Sequence, residues 1–378
     1  MRRHERQTGG RRRLLRAAAV ALMGLWPLPL GAEASPEASP PAVSFAGETI
    51  EWIIPFSRGG GSDIWARFLA PFLERHLPGN PQVTPVNAAG GGGTRGANIF
   101  ADRARPDGLT ILGTSGSTQF PYLLGDFRVR YDYEDWQVLA TSPTGGMVFV
   151  TSDLGLASWR DIGLLRNQRL VFASQGPTSL DLVPLLAFRL LGLEVHYVFG
   201  YAGRGDGLTA MFEGDVNIDY QTSASVLRNL MPAFGAGELV PLMTWGVLEP
   251  DGTTRRDPTF PEVPTVEEVY AFLYGNPPSG PDYETYRAFV NAGFAAQKMV
   301  VIPAATPAPV RQAWIDAWEA VIRDPEFLAR APEVLGSYPM VVGDDAERLA
   351  RRVLRIDPDI RRRAHLLLER EFSVRLSE

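Results

Sequence analysis

Two short glycine tracts hold the residues best suited to chemistry. Gly59, Gly60, Gly61 and Ser62 follow Phe56, Ser57 and Arg58; Gly90, Gly91, Gly92, Gly93 and Thr94 follow Ala89. Each tract lies between an apolar run and residues at helical spacing. A helix start leaves its first N–H groups unpaired and carries roughly half a positive charge. A turn with little side-chain bulk lets those groups reach an anion. Backbone donors could therefore grip an anionic head with little help from Lys or Arg. Tight turning alone also calls for glycine. One tract fits that reading; two in tandem favour binding.

Hydroxyl and amide side chains could complete such a site. Ser62, Thr114, Ser115 and Ser117 fall near the same sheet edge, where capping is their ordinary role. Further along, Ser174, Gln175, Thr178, Ser179 and Tyr201 could close over a ligand. Asp219, Tyr220, Gln221 and Thr222 could line the far side, or serve core and loop roles. Arg58 and Arg204 could each form a bidentate pair with a second carboxylate, or be solvated.

Catalytic and metal chemistry find little support. The chain has no cysteine, so it has no thiolate metal site, Cys nucleophile or disulfide. His4, His76, His196 and His365 lack metal-ligand spacing. No Ser elbow or P-loop is complete. A hydrolase built on Ser115 or Ser174 would need a base that the sequence does not pair with either. Asp63 reads as a helix N-cap rather than an acid. No metal and no cofactor is expected.

The elements that must position these residues read as α/β. A strand over Glu48–Phe56 precedes a helix carrying Ile64, Trp65, Phe68, Leu69, Phe72 and Leu73, capped by Ser62 or Asp63. Pro71 should kink or shorten it. A strand over Gln82–Asn87, a helix over Arg95–Ala104 and a strand over Leu109–Gly113 continue a parallel sheet. Open sheets of this kind bind ligands at the carboxyl ends of their strands. A strand near Gln137–Val150 leads into a second α/β region. Its strands are Leu170–Ala173, Val195–Phe199, Val216–Tyr220 and Leu239–Trp245, with helices near Leu180–Leu191 and Leu208–Glu213. Beyond Pro264 the pattern is mostly helical, clearest over Pro307–Ile322 and Ala346–Ile356.

Residues 1–34 are a different material. Seven arginines and the apolar run Ala17–Leu30 precede Ala32-Glu33-Ala34, a signal-peptide pattern. Gly10–Arg16 resembles a twin-arginine export signal, and a general secretory route fits as well. Ser35–Val43 reads as a flexible leader. Residues 1–34 carry +5, so the −6 of the whole chain becomes −11 once they are removed. So acidic a chain, with Lys298 as its one lysine, suits neither nucleic acid nor an anionic membrane surface. No run in the body of the chain is long and apolar enough for direct membrane insertion.

The order of motifs resembles one family. Pro55-Phe56-x-x-Gly59-Gly60-Gly61-Ser62-Asp63, Ala89–Gly96, Ala104-Arg105-Pro106-Asp107-Gly108-Leu109-Thr110-Ile111-Leu112, Ala173–Gly176, Gly200–Gly203 and Phe260–Glu268 occur in the order seen in the substrate-binding proteins of tripartite tricarboxylate transporters, the Bug-type extracytoplasmic solute receptors. The resemblance covers roughly residues 43–340. It implies a two-domain periplasmic-binding-protein fold, type II-like, with two open sheets, flanking helices and a cleft between domains. Domain one would be 44–145 with 246–378, and domain two 146–245, with crossovers near 140–150 and 238–246. The carboxyl-terminal helices would pack back on domain one.

The resemblance also implies a monomeric periplasmic binding protein, not an enzyme, that closes on a small carboxylate and hands it to membrane transporter subunits. A periplasmic sensor would have the same fold. Three departures stand out. Gly176-Pro177-Thr178-Ser179 replaces Gly-x-Gly-Ser, Asn217 replaces an acidic residue, and Arg58 and Arg204 stand where small residues are frequent.

Overall fold

The computed structural model describes residues 43–249 and 253–376. The expected leader over residues 1–34, and all of 35–43 but its last residue, lie outside the described residues.

Strand β1 (Thr49–Ile54) buries Ile50, Trp52, Ile53 and Ile54. Helix α1 (Gly61–His76) turns Trp65, Leu69, Phe72 and Leu73 inward, and β2 (Gln82–Asn87) follows. Then come α2 (Thr94–Arg103), β3 (Thr110–Thr114), α3 (Gly116–Leu124) and β4 (Trp136–Ser142). β1 lies between β2 and β3, parallel to both.

Residues 143–145 carry the chain out of this sheet into β5 (Gly146–Thr151). Next are β6 (Leu170–Ser174), α4 (Leu182–Leu190), β7 (Val195–Phe199), α5 (Arg204–Phe212), β8 (Ile218–Thr222), α6 (Ser223–Asn229), α7 (Met231–Gly235) and β9 (Leu239–Thr244). β5 is the centre of an antiparallel sheet ordered β8-β5-β9, and β6 pairs with β7 in parallel. Asn217 ties the two pieces together. Its Oδ1 accepts from Val171 N at 2.9 Å and its Nδ2 donates to Arg169 O at 2.9 Å. A carboxylate could accept there but not donate, a local reason for Asn where the family resemblance expects an acid.

A ribbon of β10 (Val247–Leu248) and β11 (Thr254–Arg255) precedes α8 (Val266–Tyr274) and α9 (Pro281–Phe294). β12 (Lys298–Pro303) then returns to the first sheet and runs antiparallel between β3 and β4. α10 (Ala308–Val321), α11 (Pro325–Leu335), β13 (Val341–Val342), α12 (Gly343–Val353) and α13 (Pro358–Phe372) finish the chain. The large sheet reads β13-β4-β12-β3-β1-β2.

One face of that sheet packs on α1, α10 and α11 around Trp52, whose ring lies 5.5 Å from Trp65 and 6.2 Å from Trp318. The other face takes Ala97 and Phe100 of α2 and Ala346 and Ala350 of α12. A third core joins α3, α4, α8 and α9 to β5, β6, β8 and β9.

Several local expectations are corrected. The single strand expected over Gln137–Val150 is two, β4 and β5, parted at Pro143, which has no N–H for a ladder. β12 lies where a helical pattern was expected. Met299, Val300, Val301 and Ile302 are buried on both faces and show no alternation. α1 keeps all 16 residues with Pro71 inside it, because Pro71 is on the exposed side, where the freed carbonyl meets water. Neither Ser62 nor Asp63 caps α1. Gly60 is the N-cap, and Asp63 reaches back to accept from Gly59 N at 3.1 Å. In the last helix, Ala364 and Leu368 of α13 bury themselves in the third core, beside α9 and α3.

The tryptophan cluster backs the strands whose ends form the cleft described below. Trp318→Ala removes a fully buried ring and should lower unfolding free energy by about 3–5 kcal/mol in chemical denaturation. An unchanged midpoint would contradict this packing.

Candidate functional site

The carboxyl end of β1 leads through residues 55–60 to the start of α1, and that of β3 through Ser115 to the start of α3. β12 is antiparallel to them, so its first residue arrives at the same end of the sheet. Facing this edge are the end of β6, the start of α5 and the end of β8. Between them lies a narrow cleft whose cavity is only about 20 Å³, room for about one water molecule. The first sheet lines it with Phe56, Gly60, Gly61, Ser62, Ser115 and Ser117, together with Gln297 and Lys298. Gln175, Leu180, Arg204, Tyr220 and Thr222 line the other side.

The walls meet closely because glycine leaves room. A Cβ on Gly61 would overlap the Thr222 hydroxyl, and a Cβ on Gly205 would overlap Arg58 O and lie 3.1 Å from Gly60 N. Polar contacts fasten the two sides. Asn229 Nδ2 donates to Gly59 O at 3.1 Å. Ser117 Oγ donates to Gln175 Oε1 at 3.3 Å and accepts from Leu180 N at 3.2 Å. Arg128 Nη2 donates to Asp126 Oδ2 at 2.6 Å and to Thr178 Oγ1 at 2.7 Å, while Thr178 donates to Asp126 at 2.8 Å. Burial works against the Asp126 carboxylate, yet the hydrogen bonds from Arg128 and Thr178 lower its pKa overall.

The second glycine tract has a different position from the first. Gly90, Gly91, Gly92 and Gly93 have φ of 128, 62, 67 and 103°, all in the region that favours glycine. The tract packs on the Gln175–Ser179 loop, where a Cβ on Gly92 would lie 3.4 Å from Gln175 O. Thr94 Oγ1 donates to Gly91 O at 2.8 Å. Neither this tract nor Ala89 and Thr94 is among the residues lining the cleft.

Other sequence-predicted residues divide in the same way. Arg58 and Gly59 are exposed at the loop's outer side. Ser57 sits against Gly203, and Thr114 is buried at the end of β3. Ser174 Oγ donates to Asp181 Oδ2 at 3.0 Å and accepts from Gly176 N at 3.1 Å. Ser179 Oγ donates to Gly176 O at 2.7 Å, and Tyr201, half-buried, packs against the core behind the loop.

Arg204 reaches the wall, but its guanidinium is already engaged. It donates to Ala173 O at 2.7 Å, Asp181 Oδ2 at 3.3 Å, Asp219 and Tyr220 O at 3.1 Å. It also lies over the Phe172 and Tyr220 rings. Asp219 is thereby turned to Arg204 and Gln221.

The histidines lie away from Ser115 and Ser174. His76 pairs with Asp324 at 2.8 Å, His365 bonds Leu124 O at 2.9 Å, and His196 is exposed on β7. Among the described residues the hydrolase alternative therefore has no histidine base at either serine.

Sequence reasoning missed Lys298 as a site residue. Its Nζ donates to Ser62 Oγ at 2.8 Å, its side chain is 4 % exposed, and no carboxylate among the described residues pairs with it. Burial alone pushes its ammonium down to about 7. The available signal was a lone cation opening the apolar run Lys298-Met299-Val300-Val301-Ile302.

No protein-family model matches the sequence. Among curated proteins, a UPF0065 protein of Pseudomonas sp. strain P51 is 30 % identical over 240 residues, 60 % of this chain. The match spans 64 % of that relative's length. Protein BugT of Bordetella pertussis is 27 % identical over 237 residues, 60 % of this chain and 68 % of its own. Among solved structures, the periplasmic binding protein BugD superposes with a TM-score of 0.63 at 19 % identity, covering 85 % of this chain and 97 % of BugD. MatC of Rhodopseudomonas palustris, with bound malate, gives 0.61 at 18 % identity, covering 83 % and 99 %. An R. palustris protein with adipate gives 0.62 at 18 % identity, covering 85 % and 97 %. The fold is that of the periplasmic binding proteins.

The buried ammonium has a consequence for stability. An unfolded lysine titrates near ~10.4, whereas the folded one titrates at about 7. Between these values the unfolded chain holds a proton that the folded chain lacks. The Lys298 contribution is therefore most unfavourable below pH 7 and is relieved as pH rises toward ~10.4. Ligand-free Lys298→Met should be more stable than wild type at pH 7, with the gap narrowing by pH 9.5. Denaturant titrations at both pH values measure this; a gap that is absent or widens with pH would contradict it.

Proposed function

We propose that this chain, a member of the Bug-type family of extracytoplasmic solute receptors, captures a small organic carboxylate in the cleft between its large sheet and the facing β6, α5 and β8 and delivers it to the membrane subunits of a tripartite tricarboxylate-type transporter. It is a binding protein rather than an enzyme. The observation behind the ligand class is the cleft itself. Two helix starts, several hydroxyls and one cation with no carboxylate partner among the described residues converge there, a set that suits an anion.

Malate in MatC and adipate in the R. palustris protein support the same class. The periplasm is the proposed compartment, reached through the signal-like residues 1–34. No helix among the described residues is long and apolar enough to cross a membrane.

In this reading residues 44–145 with 246–378 form one lobe and 146–245 the other. The α1 start, at Gly60, Gly61 and Ser62, takes part in holding the anion. The second tract, Gly90–Gly93, supports the facing loop and orders it when the lobes meet. The lobes part to admit ligand and close on it by hinge motion.

Two measurements test the proposal. Mass spectrometry of solute released from purified mature protein should find a carboxylate. Adding that solute at about 100 times Kd should stabilise the protein by roughly 2.7 kcal/mol, read as a thermal shift. A released solute with no anionic group would sink the ligand class. Closure is tested by Gly61→Ala, whose methyl group would meet Thr222. Scattering should show the variant staying open at ligand concentrations that compact the wild type; equal compaction would refute closure at this contact.

A further inference from the structure

We propose that Lys298 is the cationic seat of the receptor: its ammonium takes the anionic head of the captured solute, and it gains a proton as the solute binds. This rests on the receptor reading above and adds a residue and a proton to it.

The chain has 378 residues and one lysine, and that lysine faces the cleft. Its place follows from topology. β12 is antiparallel to β3, so the amino end of β12 lies beside the carboxyl ends that position α1 and α3. Of its three donors, the hydrogen bond to Ser62 is one. Two neighbouring donors are also waiting. Gln175 Nε2 and Thr222 Oγ1 line the same cleft, belong to residues at most 5 % exposed, and have no hydrogen-bond partner. Gln297 Oε1, in a residue 1 % exposed, is an acceptor in the same condition. Other buried polar atoms of the described chain share that condition; these three line one cleft with Lys298. A carboxylate would satisfy the ammonium, the amide N–H and the hydroxyl together, and a hydroxyl on the solute would suit Gln297.

The other charges around the cleft do not answer Lys298. From α1, Asp63 is turned to Gly59, Arg67 and Asn87. From the opposite wall, Asp181 and Asp219 are held by Arg204, and Tyr220 is neutral because burial raises its hydroxyl pKa. β3, α3 and β4 bring hydroxyls to this end, from Thr114, Ser115, Ser117 and Ser142. The buried amine consequently has a pKa of about 7 without ligand. An anion beside it favours the charged form and lifts that value. Binding is then strongest below the ligand-free pKa. It weakens with rising pH up to the bound value, because each complex must take up a proton.

The lone lysine makes the test direct. Protein grown with lysine carrying 13C at Cε gives one lysine side-chain resonance, which reports the titration midpoint. The probes are malate, adipate, succinate and lactate, with their amides as uncharged isosteres. A binding carboxylate should move the midpoint from about 7 to above 9. Its Kd should then weaken roughly 25- to 50-fold from pH 7 to pH 9. The matching amide should do neither, and Lys298→Met should weaken binding roughly 10- to 150-fold at pH 7.

Three results would overturn the proposal: a midpoint unmoved in saturated protein, Lys298→Met binding a carboxylate as wild type does, or no carboxylate disturbing the resonance. Because the titration uses wild-type protein, it stands even if the variant fails to fold. Tight binding of an amide with the resonance unmoved would remove the seat and leave the receptor. Failure of every solute, together with none released from purified protein, would remove both.

Discussion

The cleft depends on backbone meeting backbone and side chain with no Cβ between them. Gly61 lies against Thr222, Gly205 against the Arg58–Gly60 segment, and Gly203 against Ser57. These approaches bring the α1 start within reach of the facing wall and leave only a narrow space. The second glycine tract serves the same end from the side, since four successive positive φ values fold it tightly enough to meet the Gln175–Ser179 loop. Glycine here is a requirement of proximity first, and any anion-gripping role of the backbone follows from it.

Much of this was legible in the sequence where the signal is local. β1, β2 and β3 stand out as apolar runs followed by glycine, and the helices after them as periodic apolar faces. The first loop, with Gly60, Gly61 and Ser62, was placed at the cleft by the same logic. Ser115, Gln175 and Arg204 also reach its lining.

What could not be read was non-local. Thr178 looks like a ligand hydroxyl until Arg128 and Asp126, fifty residues upstream, are seen to hold it. Arg204 looks like an anion clamp until Asp181 and Asp219 surround it. β12 carries no alternation because both faces are buried, so periodicity cannot separate it from a helix, and the reversed direction that places Lys298 is a property of the sheet.

The charge inventory gives Lys298 a physical meaning. Cations elsewhere in the described chain are arginine or histidine, many in surface pairs such as Arg75–Glu326 and Arg330–Glu326. Such exposed pairs contribute little, with a median of about 0–1 kcal/mol. The buried Arg204 has two carboxylates and two carbonyls to hold its permanent charge. Lys298 has none of these. An arginine in its position would stay charged whether or not the cleft was occupied, since guanidinium does not release its proton in proteins. A cleft that had to stay closed around an unanswered guanidinium would pay the full desolvation penalty of that ion. An ammonium can let its proton go when no anion is present and recover it when one arrives. A lysine is thus a cation whose charge burial in this narrow cleft can weaken, as it could not weaken a guanidinium's.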